Sequence, residues 1–282
     1  MSSISPMAEP ALRRHIDVFV NSFFANGARD YLRKTTRDAP WLNLGIMEKT
    51  NPDAFYASKL FAGMNIIGGG SYSLGHGFIH GYLNGSENTQ VERAIAHLNR
   101  LGAEEIIFYH DESVRGLETA REMGLALQFS PVSLLEWLVR QARDNKQDIR
   151  PLDANAAVQL PCSWQAGDGK NALLEELFDL IGVRRVERKY DFGNRLCCGA
   201  RAYFGLVTGD TLADSDRAEE QVGRNVQDAV RAGAEYMVTT CPYCYAALAG
   251  KSMEAGIVPA QVESLVSLAL YGEKLPQGLA FL

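Results

Sequence analysis

The run Gly233-Ala234-Glu235-Tyr236-Met237-Val238-Thr239-Thr240-Cys241-Pro242-Tyr243-Cys244 decides how this chain reads. Its β-rich middle, Tyr236 to Thr240, predicts a strand that ends on Cys241. Pro242 suits the first turn of a helix that follows, and Gly233 fits the C-cap of a long helix expected over 216–232. A helix, a strand and a second helix in that order form the repeating unit of an α/β fold. Open α/β sheets build their sites at the carboxyl ends of their strands, which is where Cys241 falls.

Working back from that run, the other cysteines take similar places. Ala157-Val158-Gln159-Leu160-Pro161 predicts a short strand ending at Cys162, and 171–181 predicts a helix closed by Gly182, with Leu173, Leu174, Leu177 and Leu180 at helical spacing. A further strand over 186–192 leads to Leu196-Cys197-Cys198-Gly199. Three loops far apart in sequence are thereby expected to converge with all five cysteines: Cys162, Cys197, Cys198, Cys241 and Cys244. All of them lie in the second half, whereas all five histidines (His15, His76, His80, His97 and His110) lie in the first. Thiols scattered for packing would not separate in this way.

The first half reads as a worn copy of the second. Gly102-Ala103-Glu104 precedes a strand that ends at His110, as Gly233-Ala234-Glu235 precedes one that ends at Cys241. Gly77-Phe78-Ile79-His80-Gly81 answers Gly205-Leu206-Val207-Thr208-Gly209, and Gly68-Gly69-Gly70 answers Cys197-Cys198-Gly199. Val18-Phe19-Val20-Asn21-Ser22 is set against Val158-Gln159-Leu160-Pro161-Cys162, which requires an insertion around 38–62 of the first copy. The five cysteine positions then become Ser22, Gly68, Gly69, His110 and Ser113. Residues 1–150 are expected to form a half without cysteine ligands, and 151–282 the half that carries the site.

Composition narrows the classes. The chain has 282 residues, 28 Lys+Arg and 34 Asp+Glu, so its net charge is 28 − 34 = −6, with 46% hydrophobic and 22% charged residues. These are ordinary globular values, and without a basic block nucleic acid is not expected as a partner. No run approaches 18 apolar residues, so no transmembrane segment is expected. The N-terminal stretch lacks the apolar region of a secretory signal, so a cytoplasmic location is expected. There, five cysteines point to thiol or metal chemistry rather than a disulfide framework.

Thiolates bind iron–sulfur clusters and soft metals, and four of them can hold structural zinc. Adjacent cysteines in an extended segment point apart, which suits two irons better than one zinc. Cys-Pro-Tyr-Cys alone reads as a dithiol redox motif, but that leaves Cys162 and the tandem pair unexplained. Arg195 and Arg201 flank Cys197-Cys198-Gly199 and could offset the negative charge of thiolates. Tyr203, Tyr243 and Tyr245 crowd the same loops. In the first half, His76, His80 and His110, with Asp111 and Glu112, could bind a metal or supply a proton in the vacated site. Gly68-Gly69-Gly70 lacks the Gly-Lys-[Ser/Thr] ending of a phosphate loop.

The spacing C-x34-C-C-x42-C-x2-C, with Cys198-Gly199 and Thr240-Cys241-Pro242-Tyr243-Cys244 inside it, resembles the cysteine-rich CCG domain of the B-type heterodisulfide reductase family. The gap before Cys241 is slightly long, which places a loop insertion near 208–214. In the first half the resemblance rests on landmarks alone. It implies an α/β fold of two similar CCG-type halves related by pseudo-twofold symmetry. It also implies one non-cubane [4Fe-4S] cluster per chain, with Cys162, Cys197, Cys198, Cys241 and Cys244 as ligands. The activity implied is that of an oxidoreductase component moving electrons to or from a sulfur substrate (a disulfide, a thiol or a lipoyl-bound sulfur), active within a complex. The partners implied are a ferredoxin-like C-type subunit, a flavin-containing A-type subunit, a two-cluster B-type subunit and, for the sulfur-oxidising variant, a lipoyl carrier protein. An iron–sulfur subunit of a glycolate or lactate oxidase, and a zinc-binding or scaffold subunit, are the alternatives left open.

Overall fold

The computed structural model describes residues 30–36, 38–45, 55, 57–74, 87–161, 164, 169–200 and 215–273. They form an α/β protein with two sheets. The first contains β1 (Tyr31–Arg33), β2 (Trp41–Asn43), β3 (Asn65–Gly68), β4 (Glu105–Phe108) and β5 (Ser130–Ser133) in the order β1-β3-β2-β4-β5. The second contains β6 (Ala154–Gln159), β7 (Val183–Arg185), β8 (Tyr236–Thr239) and β9 (Val258–Gln261) in the order β7-β6-β8-β9. Only β1 runs antiparallel to its neighbour; every other pairing is parallel. With β1 set aside, both sheets order their parallel strands as second, first, third, fourth, so the chain winds the same way twice.

Register makes the likeness residue-specific. Ile106 and Met237 follow Gly102-Ala103-Glu104 and Gly233-Ala234-Glu235 at equal distance. Ile106 lies opposite Trp41, and Met237 opposite Ala157. Phe108 faces Ser133, and Thr239 faces Gln261. His110 and Cys241 are therefore equivalent, each just past the third parallel strand.

Three expectations need correcting. The strand that answers β6 is Trp41–Asn43, inside the stretch assigned to an insertion, while 18–22 lies outside the described residues. Gly68 is the last residue of β3, and Gly69 leads into a 3-10 turn at Gly70–Tyr72. In the second half the comparable turn, Phe192–Asn194, comes before Cys197. The glycines thus sit at the strand end and do not replace the cysteine pair. The second strand of that half is likewise displaced, to Val183–Arg185 instead of 186–192. Gly182, at φ 70, ends the preceding helix and turns the chain straight into the edge strand. Beyond it the Arg185 guanidinium folds back onto Asp191 and Glu175.

Parallel strands are buried on both faces, so their residues alternate between two cores. Trp41, Ile67, Ile106 and Phe108 pack outward with Leu98 and Leu117. Leu42, Ile66, Ile107 and Tyr109 face a larger core that continues into the second half through Ala157, Leu177, Val238 and Leu265. The halves share one hydrophobic interior.

Among the described residues there are seven α-helices: α1 (Glu87–Asn99), α2 (Asp111–Glu122), α3 (Leu134–Asp144), α4 (Lys170–Ile181), α5 (Ser215–Arg231), α6 (Pro242–Glu254) and α7 (Val262–Tyr271). Helix α3 begins with a capping box: Ser133 Oγ accepts from Glu136 N at 3.2 Å, and Ser133 N donates to the Glu136 carboxylate at 2.9 Å. It packs on α4 of the other half, where Arg143 grips Glu176 at 2.5 and 2.7 Å. No helix of the described residues is long and apolar enough to cross a membrane.

Candidate metal centre

The site builds outward from the end of β8. Cys241 is the extended N-cap residue of α6, Pro242 opens the helix, and Cys244 lies in its first turn. Helix N-termini present unpaired N–H groups and a partial positive charge that favours thiolate over thiol.

A second loop meets this one. Gly199, at φ 85, lets the chain turn beside α5, where a Cβ would come within 3.2 Å of Ala218 O and of a Val222 methyl. Its N–H donates to Cys197 Sγ at 3.5 Å. Gln159, buried at the end of β6, donates through Nε2 to Leu160 O at 2.9 Å and to Leu196 O at 3.1 Å. The Asn225 side chain donates to Gln159 Oε1, and Arg188 donates to Asn225 Oδ1 and to Val158 O. A polar chain buried under the sheet edge thus fixes the approach to Cys197. Arg195 donates to Trp164 O at 2.7 Å and to Phe192 O at 3.2 Å, tying the loop after β6 to the cysteine pair. Its guanidinium is committed to backbone carbonyls.

Four thiols come together, and none of the four forms a disulfide. Cys198 contacts the thiols of Cys197 and Cys244, and Cys244 also contacts that of Cys241. Cys198, Cys241 and Cys244 are buried, whereas Cys197 is exposed. The hydrogen bonds of Cys197 and Cys244 hold the Cys198 thiol well below its ordinary range. Contact with Cys244, helped by His110, brings Cys241 down to about 7 against its own burial. Cys244 is pushed up, first by its bonds to Cys198 and Cys241 and then by burial. A shared proton among packed thiols gives this pattern, and so does a set of donors built for deprotonation by metal. Among the described residues no three His, Cys, Asp or Glu side chains surround a single ion position. The thiol contacts instead run in sequence from Cys197 to Cys241. Such a spread donor set fits a polynuclear centre. Cys162 lies outside the described residues, between Pro161 and Trp164, which are both placed at this edge.

The first half supplies the opposite wall. His110, the residue equivalent to Cys241, sets its Nε2 at 3.9 Å from Cys241 Sγ and 3.4 Å from Glu112 Oε2. Its ring meets Tyr243 edge-on at 5.4 Å. Burial pulls the imidazole down, but Glu112, Cys241 and Asp111 together outweigh it and raise His110 to about 9. Asp111 accepts from Trp164 Nε1 at 2.7 Å and from Lys170 Nζ at 2.5 Å. Beside it, Tyr109 donates to Gln261 Oε1 and lies 2.8 Å from Glu263 Oε1. Burial pushes Tyr243 and Tyr245 up.

The structure therefore brings together Cys197, Cys198, Cys241, Cys244 and His110, with Asp111, Glu112 and Tyr243 around them. His76, His80, Arg201 and Tyr203 lie outside the described residues. Gln159, Asn225, Trp164, Lys170, Tyr109 and Glu263 were not singled out from sequence. The signals were a glutamine in the otherwise apolar Ala156-Ala157-Val158-Gln159-Leu160 and a glutamate at the start of Val262-Glu263-Ser264-Leu265-Val266.

No curated protein matches the chain. Among solved structures it is similar to a glutamate racemase of Bacillus anthracis, at 12% identity over 86% of each chain with a TM-score of 0.42. It is also similar to the glutamate racemase of Francisella tularensis, at 11% identity over 84% of this chain and 81% of that one, TM-score 0.35. An aspartate racemase homologue of Pyrococcus horikoshii is 14% identical over 82% of this chain and 98% of that one, TM-score 0.36. A family model described as a cysteine-rich domain, CCG, matches residues 156–249, the span that holds all five cysteines. The second half of this chain therefore carries a CCG cysteine-rich domain, a family linked to oxidoreductase subunits and to multi-subunit complexes.

Proposed function

We propose that this chain is the iron–sulfur subunit of a heterodisulfide-reductase-like complex, moving electrons to or from a sulfur substrate at one non-cubane [4Fe-4S] centre held by Cys162, Cys197, Cys198, Cys241 and Cys244. The observation that supports this most directly is the meeting of Cys198 with Cys197 and Cys244, which joins the tandem pair to the Cys-x-x-Cys of α6 in one donor set with Cys197 at its exposed edge. When bound, such a centre supplies one-electron transfer. The chain's own residues do the rest. The thiolates hold the metal, and the N-terminus of α6 favours their charge. Gln159 and Gly199 set the loop that carries Cys197 and Cys198. Burial of Cys198, Cys241 and Cys244 keeps water from three of the sulfurs, leaving the Cys197 edge open to solvent.

Opening a disulfide consumes two electrons and two protons and yields two thiols. A single one-electron centre passes those electrons singly, so a partner must deliver or remove them. A ferredoxin-like or flavin-containing subunit has the required chemistry, and a lipoyl-bound sulfur is a suitable substrate. The protein purified without oxygen should contain about four irons and four sulfides per chain, with an EPR signal after mild oxidation. Cys198→Ser should lose most of both. Stoichiometric zinc without sulfide would overturn the redox role and leave a scaffold.

A further inference from the structure

The first half carries no cysteine, yet its third strand ends on the wall of the second half's site. His110 reaches across the boundary to Cys241, its own equivalent in the repeat, at 3.9 Å, and is buried there with Glu112 and Asp111. Nε2 faces two acceptors, the Glu112 carboxylate and the Cys241 sulfur, so the ring proton belongs on that nitrogen. Tyr243 packs edge-on against the ring, and α2 begins at Asp111, so His110 is held as the N-cap residue of a helix. This is a hydrogen-bond donor fixed in place on a thiolate, supplied by the half that has lost its thiols.

We infer that His110 is a positioning residue for the proposed centre, whose N–H···S hydrogen bond from the ligand-free half to Cys241 sets the potential of the iron–sulfur site in the other half. The inference rests on the iron–sulfur reading above and adds a role for the first half. A donor on a ligating sulfur stabilises the more negative, reduced state and so raises the potential. The contact acts through Cys241, with His110 remaining outside the set of ligands. The worn half is thereby retained as the outer shell of its partner's site.

The test is a redox titration followed by EPR on the full chain purified without oxygen, comparing wild type, His110→Leu and His110→Gln. His110→Leu should load the same iron and sulfide but titrate at lower potential. At a fixed ambient potential its ratio of oxidised to reduced centre should rise about tenfold, which for a one-electron couple corresponds to about 59 mV. His110→Gln, which keeps an N–H donor, should recover most of that shift. A loaded His110→Leu protein at the wild-type potential would overturn this inference and leave the iron–sulfur assignment standing. Loss of iron from both variants would make His110 a structural prop, and would also overturn it. A wild-type chain without iron and sulfide would overturn the assignment and the inference together.

Discussion

The two halves wind their parallel strands in the same order and place the end of the third strand at the same point, yet they present opposite chemistry there. The second half ends β8 on Cys241 and opens α6 with Pro242, Tyr243 and Cys244. The first ends β4 before Tyr109 and His110 and opens α2 with Asp111 and Glu112, all four buried. One edge offers soft sulfur donors, and the other offers an imidazole, two carboxylates and a phenol. In the larger core those edges face each other. One strand order can therefore position different chemistry, and the edge of the first half can still wall the site of the second.

The next helix shows the same divergence. Ser133 and Gln261 are equivalent in register, and each is the N-cap residue of its half's closing helix. Ser133 forms a capping box, whereas Gln261 makes no side-chain cap and accepts instead from Tyr109 of the other half. Two residues further on, the first half has Leu135 in the core, and the second has the buried Glu263. Burial raises Glu263 to about 7 from its ordinary 4.5, against the pull of its bond with Tyr109.

Three changes probe this contrast, in order of expected effect. The first is Glu263→Gln. The folded protein keeps a proton on Glu263 that the unfolded chain releases above about 4.5, so wild-type stability should fall as pH rises from there to about 7. The loss is on the order of 3 kcal/mol over that window. Denaturant melts of the metal-free variant across the same pH range should lack that part of the fall, and an unchanged slope would refute the assignment. The second is Tyr109→Phe, which removes the hydroxyl joining the first half to Gln261 and Glu263. It should cost roughly 1–3 kcal/mol in urea unfolding, because the buried Gln261 Oε1 loses its donor and the Glu263 carboxyl loses its hydroxyl partner. A neutral result would mean that the bond contributes nothing to holding the halves together. The third is a matched pair. Gly102 and Gly233 hold φ 65 and φ 74 at equivalent helix ends, with open space where a Cβ would go. Replacing either with alanine should cost about 1 kcal/mol by thermal melt, and the same amount in both halves, because backbone conformation is the only cost. Unequal costs would break the equivalence drawn from register.

How far the sequence could be read depended on the length of each signal. The helices over 170–181 and 215–231 and the strands before His110 and Cys241 were legible, since each shows several turns of apolar spacing or a β-rich run closed by glycine. Trp41–Asn43 was not. Three residues after Pro40 are too short to show a period, so in the sequence the central strand of the first sheet reads as part of an insertion. The match of Gly68-Gly69 with Cys197-Cys198 failed for a related reason: glycines mark a strand end as readily as a loop, and only pairing with β2 shows which. Gln159 and Asn225 are far apart in the chain, and nothing local signals that one side chain will donate to the other.

By itself the sequence determined the α/β class and the cysteine-rich stretch that the CCG family model matches, because strand and helix periods and cysteine spacing are local properties of the chain. Tertiary structure alone decided that His110 would meet Cys241, that Tyr109 would bond to Glu263, and that Gln159 would hold the Cys197 loop. Those contacts depend on how the two sheets lie against a shared core, where burial raises Tyr109 and Glu263 while the neighbouring Glu112, Cys241 and Asp111 raise His110 against its burial.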